Sequence, residues 1–254
     1  MSEQSAAPAG AQTPQLTNGW NLFVPSLRAI ARNFWTIVGL FAIPLGGFLL
    51  TVGVLFLVEK THTPATAATI IGLAFGLASA ATFLVVLPAS TLALLAGARG
   101  ESVEIKEMWV SGRAFVLPYL LVSALLVMLY GAGLIFLIIP YFFAMKYFML
   151  APYYVLDEGV SAMEAMRRSA AAAKKHSKAM WTVVAVVATF NVIEFVPYAG
   201  LPVSIVLSLM YAAAPAIRYL EIHAADANEP MPKLKHEKKK SPFEDQFDGK
   251  STVD

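Results

Sequence analysis

Long apolar runs alternate with short polar stretches along most of the chain. A helix needs roughly 20 apolar residues to cross the ~30 Å hydrocarbon core of a bilayer. The run at 141–156 covers only ~24 Å as a helix, although its aromatic ends could lie in the two interfaces. The pattern predicts an all-α, polytopic membrane protein with six transmembrane helices. The six runs are residues 34–58, 67–88 (with a helix that could extend to 98), 114–139, 141–156, 179–195 and 201–219.

Small residues and prolines mark particular points in the first two runs. Pro44 and the glycine pair that follows it predict a kink in the first span. Gly72, Gly76 and Ala80 stand four residues apart in the second. Such a row of small residues lets two helices approach closely in lipid. We interpret it as a packing feature rather than a functional one.

Polar stretches with helix-forming residues precede the first, third and fifth runs. They predict short interfacial helices near residues 20–33, 101–109 and 161–176. Two of the three junctions are alike, RNFWTIV at 32–38 and KAMWTVV at 178–184. We therefore expect three units, each a surface helix followed by a helical hairpin.

The stretch at 161–176 carries helix start and stop signals in order. Ser161 can cap the helix, and Glu164 stands at the spacing of a reciprocal capping box. Glu164 and Arg168 form an i, i+4 pair of favourable orientation. Asp157 and Glu158 precede the helix at the positive end of its dipole. The basic residues of this predicted interfacial helix are Arg167, Arg168, Lys174 and Lys175.

The basic residues are distributed very unevenly among the loops. Seventeen of the 19 Lys and Arg residues fall on one side of the six-span arrangement, whereas Lys60 lies on the other and Lys146 lies within a span. The positive-inside rule then predicts a plasma (inner) membrane protein with both termini in the cytoplasm. If 141–156 did not cross, the basic cluster at 167–178 would face outward. The four tryptophans fall near the same basic side: Trp20, Trp35, Trp109 and Trp181.

Composition supports a membrane domain flanked by polar ends. Apolar residues make up 57% of the chain and charged residues 14%, against about 25% charged in soluble domains. We expect a disordered arm at 1–19, a transmembrane domain at 20–222 and a disordered charged tail at 223–254. The tail block KLKHEKKK at 233–240 could bind anionic lipid. It could equally be a solvated segment that satisfies the positive-inside rule.

Three polar residues within the spans form a candidate intramembrane site. Lys146 lies in the fourth run, and Glu194 lies near the outer end of the fifth, with Asn191 one turn before it. Ionisable residues inside a bilayer are costly and usually face the bundle interior. If Lys146 snorkels outward, the two charges can meet in the outer half. If they meet, they form either a site for a solute or lipid headgroup or a structural ion pair. The remaining alternative is that the two residues snorkel separately.

No pattern in the chain points to catalysis. Cysteine is absent, the four histidines lack metal-ligand spacing, and there is no phosphate-binding loop, GxSxG motif or dinucleotide fingerprint. The adjacent carboxylates Asp157 and Glu158 are explained more simply by helix capping than by acid–base chemistry. We predict that the protein is not an enzyme, needs no cofactor or metal, and binds no nucleic acid.

The segment from 138 to 176 resembles a known family signature. It combines a proline turn, an aromatic span with a basic residue, an acidic–glycine step, and a helix with Ala, basic residues and Ser. This signature is similar to that of the glycerophosphoryl diester phosphodiesterase membrane-domain-like family of bacterial integral membrane proteins. The likeness extends over roughly 20–222, including GESVEIKEMW at 100–109 and YAAAPAIRYLEI at 211–222. The matching positions are Pro140, Lys146, Glu158, Gly159, Ala165, Arg167, Arg168 and Ser169.

The resemblance implies a six-helix membrane domain whose function is largely uncharacterised. Some relatives carry an attached phosphodiesterase domain, but the stretches outside the spans of this chain are too short for one. The sequence departs from the family in having Lys146 where Arg is common and alanines at 170–173 where aromatic residues are common.

These observations favour a non-catalytic membrane protein that assists membrane or envelope organisation. Its expected partners are membrane lipids, anionic ones included, and a membrane protein or a second copy of the chain. The alternative is a small-solute or lipid transporter that uses Lys146, Asn191 and Glu194.

Overall fold

Every regular element is a helix in the part of the chain that the structure describes. The computed structural model describes residues 16–60, 65–136, 138–194 and 196–227. A short 3₁₀ turn, Gly19–Leu22, precedes the first helix. The helices are α1 (Phe23–Arg32), α2 (Phe34–Lys60), α3 (Ala65–Arg99), α4 (Ile105–Ala114), α5 (Val116–Phe136), α6 (Ile138–Phe148), α7 (Ala151–Glu158), α8 (Ala162–Lys175), α9 (Ser177–Ile193), α10 (Gly200–Met210) and α11 (Ala214–Ala227).

Four helical segments are long and apolar enough to cross a membrane within the described ranges. They are Phe34–Val58, Gly72–Arg99, Val116–Ile135 and Gly200–Ala227. A fifth exists if α8 and α9, which meet at 103°, are counted as one broken span. The predicted span at 141–156 is split between α6 and α7, because the helix breaks at Met149 and Leu150. Length and composition therefore give four or five spans rather than six.

Three short helices lead into three long ones through single non-helical residues. Asn33 separates α1 from α2, Phe115 separates α4 from α5, and His176 separates α8 from α9. Their φ/ψ pairs are similar, at −112/21, −103/3 and −106/37°. The three predicted units thus share an element order and a joint of similar backbone shape.

The prolines and small residues of the first hairpin lie within continuous helices. Both α2 and α3 continue as helix through Pro44 and Pro88. A Cβ on Gly72 would lie 3.0 Å from Leu55, but nothing lies within 4 Å of one on Gly76. Only part of the predicted small-residue row therefore packs against a neighbouring helix.

The packed core lies at one end of the helices, in a region we call the junction layer. It comprises α1, the Ala89–Arg99 end of α3, α4, α7, α8, the start of α9, and α11. Leu22, Leu95, Met108, Leu150 and Tyr219 are all at most 2% exposed there. By contrast, only 11% of the Phe34–Val58 window is buried.

Residues just outside the predicted transmembrane domain, 20–222, also make contacts with it. Residues before Trp20 belong to the fold, since the Gly19 amide donates to Thr182 Oγ1 at 2.9 Å and Arg218 donates to the Thr17 carbonyl. Helix α11 continues past 222 to Ala227 because His223 and Asp226 have partners in the junction layer. The remaining parts of the predicted arm and tail, 1–15 and 228–254, lie outside the described residues.

Candidate functional site

Helix α8 forms where the capping signals predict it. The Ser161 hydroxyl accepts the Glu164 amide proton at 3.4 Å, and Lys174 and Lys175 occupy the last turn. Of the two hydrogen bonds of the predicted capping box, the structure has the one from the Glu164 amide to Ser161. The Glu164 carboxylate turns instead to Arg168, at 2.8 Å, and to Arg167, at 2.8 Å.

These contacts shift the pKa values of two side chains on the exposed face of α8, Glu164 and Arg168. The hydrogen bond from Arg168, followed by that from Arg167, lowers the pKa of Glu164 below its ordinary value. The reciprocal hydrogen bond raises the pKa of Arg168. Both residues therefore stay charged near neutral pH.

Asp157 and Glu158 do not cap α8, contrary to the sequence interpretation. They end α7, where Gly159 closes the helix at φ 64° with its amide on the Val155 carbonyl. Asp157 accepts from Arg99 at 2.6 Å. Because the Arg99 side chain is only 3% exposed, this is an almost buried ion pair. The two carboxylates are thus structural acceptors for other helices.

Helix α11 completes this polar network. Tyr219 donates to Asp157 Oδ2 at 2.8 Å, and His223 Nε2 lies 2.9 Å from Glu158. Arg168 of α8 also pairs with Glu158. We call Arg99, Asp157, Glu158, Arg168, Tyr219 and His223 the junction network. The i, i+4 spacing of Tyr219 and His223 was the available sequence signal, but it does not reveal that their partners lie on α7.

A second set of polar contacts connects α11 with the end of α8. Asp226 on α11 pairs with Lys175 and lies 3.0 Å from His176 Nε2. This places the joint between α8 and α9 against the last turn of α11. Lys175, one of the basic residues of the predicted interfacial helix, is therefore engaged by α11.

Lys146 lies at the level of α8, toward the basic side. It is 4% exposed and sits 4.7 Å from the Tyr147 ring centre and 5.2 Å from that of Trp181. The Tyr147 carbonyl accepts from Ser169 of α8 at 2.7 Å. Lys146 therefore does not extend outward from the Pro140 turn as expected.

Glu194 and Asn191 lie at the other end of α9. Glu194 is thirteen residues beyond Trp181, or roughly 20 Å along the helix. It accepts from Ser204 of α10 at 2.9 Å and is exposed, while Asn191 is half-buried. The structure does not bring Lys146 together with the other two residues. The meeting in the outer half, one of the arrangements that the sequence left open, does not occur because Lys146 lies toward the opposite end of α9.

Helix α1 presents three distinct faces. The i, i+4, i+7 pattern of its buried face comprises Leu22, Ser26, Ala29 and Asn33. The apolar exposed face comprises Val24 and Leu27 and continues to Trp20 in the preceding 3₁₀ turn. The basic exposed face comprises Arg28 and Arg32, which border a cleft of ≈ 330 Å³ between α1, α3 and α11.

Close helix crossings fix this arrangement. A Cβ on Gly97 of α3 would collide with the Ala29 carbonyl of α1, and one on Gly112 of α4 would lie 2.7 Å from the Ala89 Cβ of α3. Asn33 Nδ2 donates to the Ala93 carbonyl, and the Val103 amide donates to Asn33 Oδ1, each at 3.0 Å. The short helices are therefore held rigidly against the ends of the long ones.

No group of three or more His, Asp or Glu side chains suited to a metal ion occurs within the described ranges. No protein-family model matches the chain, and no curated protein or solved structure is significantly similar to it. Functional assignment therefore depends on the geometry of this chain alone.

Proposed function

We propose that the protein is a non-catalytic, multi-pass plasma-membrane protein that binds anionic lipid and helps to organise the membrane. In this proposal the chain crosses six times and both termini face the cytoplasm. Helices α1, α4 and α8 lie in the cytoplasmic interface. The junction layer then forms a rigid platform at the inner membrane surface.

The three faces of α1 are the observation that carries the proposal. An interfacial helix buries an apolar face among acyl chains and presents basic residues to headgroups. The apolar face of α1, with Trp20 53% exposed, lies beside the face with Arg28 and Arg32. Its third face is fixed to the protein, so the helix cannot turn to hide either exposed face.

The six-span topology has separate support from charge. If α6 and α7 together cross, then α8 lies on the same side as α1 and α4, and Arg167 and Lys174 join the other basic residues. The 103° bend between α8 and α9 also suits a surface helix leading into a span. A helix with four basic side chains is a poor membrane-crossing segment.

Single-cysteine labelling tests the topology directly because the chain has no cysteine of its own. Tyr198→Cys lies in the exposed turn after α9, whereas Ser102→Cys and Ala171→Cys lie at exposed positions near α4 and on α8. In intact cells an impermeant maleimide should label only Tyr198→Cys, and permeabilisation should expose the other two. Labelling of Ala171→Cys from outside would show that α6 and α7 do not cross.

Native mass spectrometry tests the lipid role. Arg28→Gln with Arg32→Gln should reduce the number of phosphatidylglycerol molecules retained in a mild detergent, because two headgroup contacts are lost. Lys60→Gln is the matched control, since it removes a basic side chain at the other end of α2. Equal lipid retention by wild type and the double variant would contradict the proposal.

A catalytic role receives no support from the carboxylates. Asp157 and Glu158 are engaged by Arg99, Tyr219 and His223, so neither is free to act on a substrate. The transport alternative needed Lys146, Asn191 and Glu194 in one cavity. Lys146 of α6 lies beside the start of α9, whereas Asn191 and Glu194 lie at its far end, so no observation favours that alternative.

A further inference from the structure

Lys146 is an almost fully buried cation whose charge has no acidic partner in the described chain. It makes neither a hydrogen bond nor an ion pair with any residue there. Arg99, the comparable buried cation, is paired with Asp157 at 2.6 Å. Removing a cation from water without a counter-charge is strongly unfavourable. The site is therefore incomplete as built from protein atoms alone.

Aromatic rings lie beside the Lys146 ammonium but supply no negative charge to balance it. Tyr147 and Trp181 flank the ammonium, and ring faces attract cations. Phe143 stacks edge-on against Trp181 at 5.1 Å and is 45% exposed. Lys146, Tyr147, Phe143 and Trp181 therefore lie together where α6 packs against α9.

The ammonium is still reachable from outside the protein. The fully buried side-chain polar atoms without a partner in the described ranges are Arg99 Nε, Glu101 Oε2 and Arg218 Nε. Lys146 Nζ also lacks a hydrogen bond but is not among them, so it keeps a small accessible area. A ligand oxygen can therefore approach the ammonium beside these rings.

The position of Lys146 and Trp181 along the helices indicates which ligand the site suits. Trp181 lies four residues after the start of α9, about 6 Å from the joint with α8. If α8 lies in the interface, this is the level of lipid phosphates and glycerol groups, where Trp and Tyr side chains concentrate. Phosphate oxygens form charge-assisted hydrogen bonds with ammonium groups.

We propose that Lys146 binds the phosphate of one anionic phospholipid of the cytoplasmic leaflet, with Tyr147 and Trp181 flanking it and an acyl chain lying along Phe143. This inference rests on the proposed membrane placement and names a specific site within it. It makes Lys146 a lipid ligand and leaves Glu194 outside the site.

The test is native mass spectrometry of the purified protein with added phosphatidylglycerol or phosphatidylcholine. Lys146→Met should weaken retention of one phosphatidylglycerol by about tenfold or more, whereas Lys146→Arg should retain it. Lys178→Gln is the matched control, because it removes an exposed lysine one turn from Trp181. Equal retention by Lys146→Met and wild type, or equal binding of phosphatidylcholine, would overturn the site.

Two further arms keep the interpretation clear. In the Arg28→Gln/Arg32→Gln variant, phosphatidylglycerol should still raise the melting temperature in detergent more than phosphatidylcholine does, so the test survives if Lys146→Met fails to fold. Inorganic phosphate should not displace the lipid, and displacement would mean that the site takes a free anion instead. If lipid loss occurs in Arg28→Gln/Arg32→Gln but not in Lys146→Met, this site fails while the proposed function stands.

Discussion

The junction layer and the distal halves of the long helices differ in how they are held. In the junction layer, Leu150 and Tyr219 are fully buried, and a nearly buried ion pair joins α3 to α7. In the distal halves, large apolar side chains such as Leu49 and Ile135 are 61% and 82% exposed. Protein contacts fix the first region, whereas the second presents its apolar surface outward as a lipid-facing surface does. Stability and shape should therefore depend on the layer of short helices.

The largest expected effect comes from breaking the Arg99–Asp157 pair. Asp157→Asn leaves the Arg99 guanidinium, which is 3% exposed, without its carboxylate. We expect a loss of about 3–5 kcal/mol in unfolding free energy, because an uncompensated buried charge remains. Unfolding in mixed detergent micelles measures this.

Arg167→Gln is the control for that prediction. Its side chain is 78% exposed, and exposed ion pairs contribute little. A similar loss in both variants would remove the contrast between the junction network and the surface pairs.

A truncation pair compares the two regions directly. Leu150→Ala opens a cavity in the junction layer and should cost about 2–5 kcal/mol. Leu49→Ala changes a side chain that is 61% exposed, so it should have little effect in detergent. The measurement is the melting temperature of each variant. A larger loss for Leu49→Ala would mean that another chain covers the distal half.

A glycine pair tests the crossing between α1 and α3. Gly97→Ala places a Cβ against the Ala29 carbonyl, so overpacking should cost about 1–3 kcal/mol. Gly76→Ala meets nothing within 4 Å, and helix propensity alone should make it neutral or stabilising by about 0.5–1 kcal/mol. Thermal unfolding separates the two. Tolerance of Gly97→Ala would mean that α1 can move away from α3.

Removing the cap of α8 should have a smaller effect. Ser161→Ala loses the hydrogen bond to the Glu164 amide and should cost about 1 kcal/mol. Ser161→Asp should retain the cap, so it serves as the control. Equal destabilisation by both variants would show that the position matters for some reason other than capping.

The smallest effect is a pH dependence on the exposed face of α8. Because Arg168 and Arg167 lower the pKa of Glu164, its contribution to stability is fully present above its unfolded pKa, about 4.3. That contribution is lost as the pH falls through the lower folded value. Glu164→Gln should therefore flatten the acid limb of a melting-temperature profile slightly. An unchanged profile would place the acid sensitivity in other carboxylates.

The sequence by itself determined the helices and their order. Apolar runs of span length, the capping residue Ser161 and the polar stretches before alternate runs act locally, within one helix or across one turn. The structure accordingly has α1, α4 and α8 where short helices were predicted. The fourth apolar run is divided into α6 and α7. The division falls at Met149 and Leu150, where Leu150 and the following Ala151 are packed in the buried core.

Tertiary structure alone decided which polar groups meet. Asp157 was interpreted as part of a helix cap, but its partners Arg99 and Tyr219 lie 58 and 62 residues away in the chain. The sequence left open whether Lys146 and Glu194 meet, and the direction of α9 separates them. Local periodicity reports the face of a helix that a residue occupies. It does not report which other helix packs against that face or at what level along the two helices they meet. Long-range packing sets both.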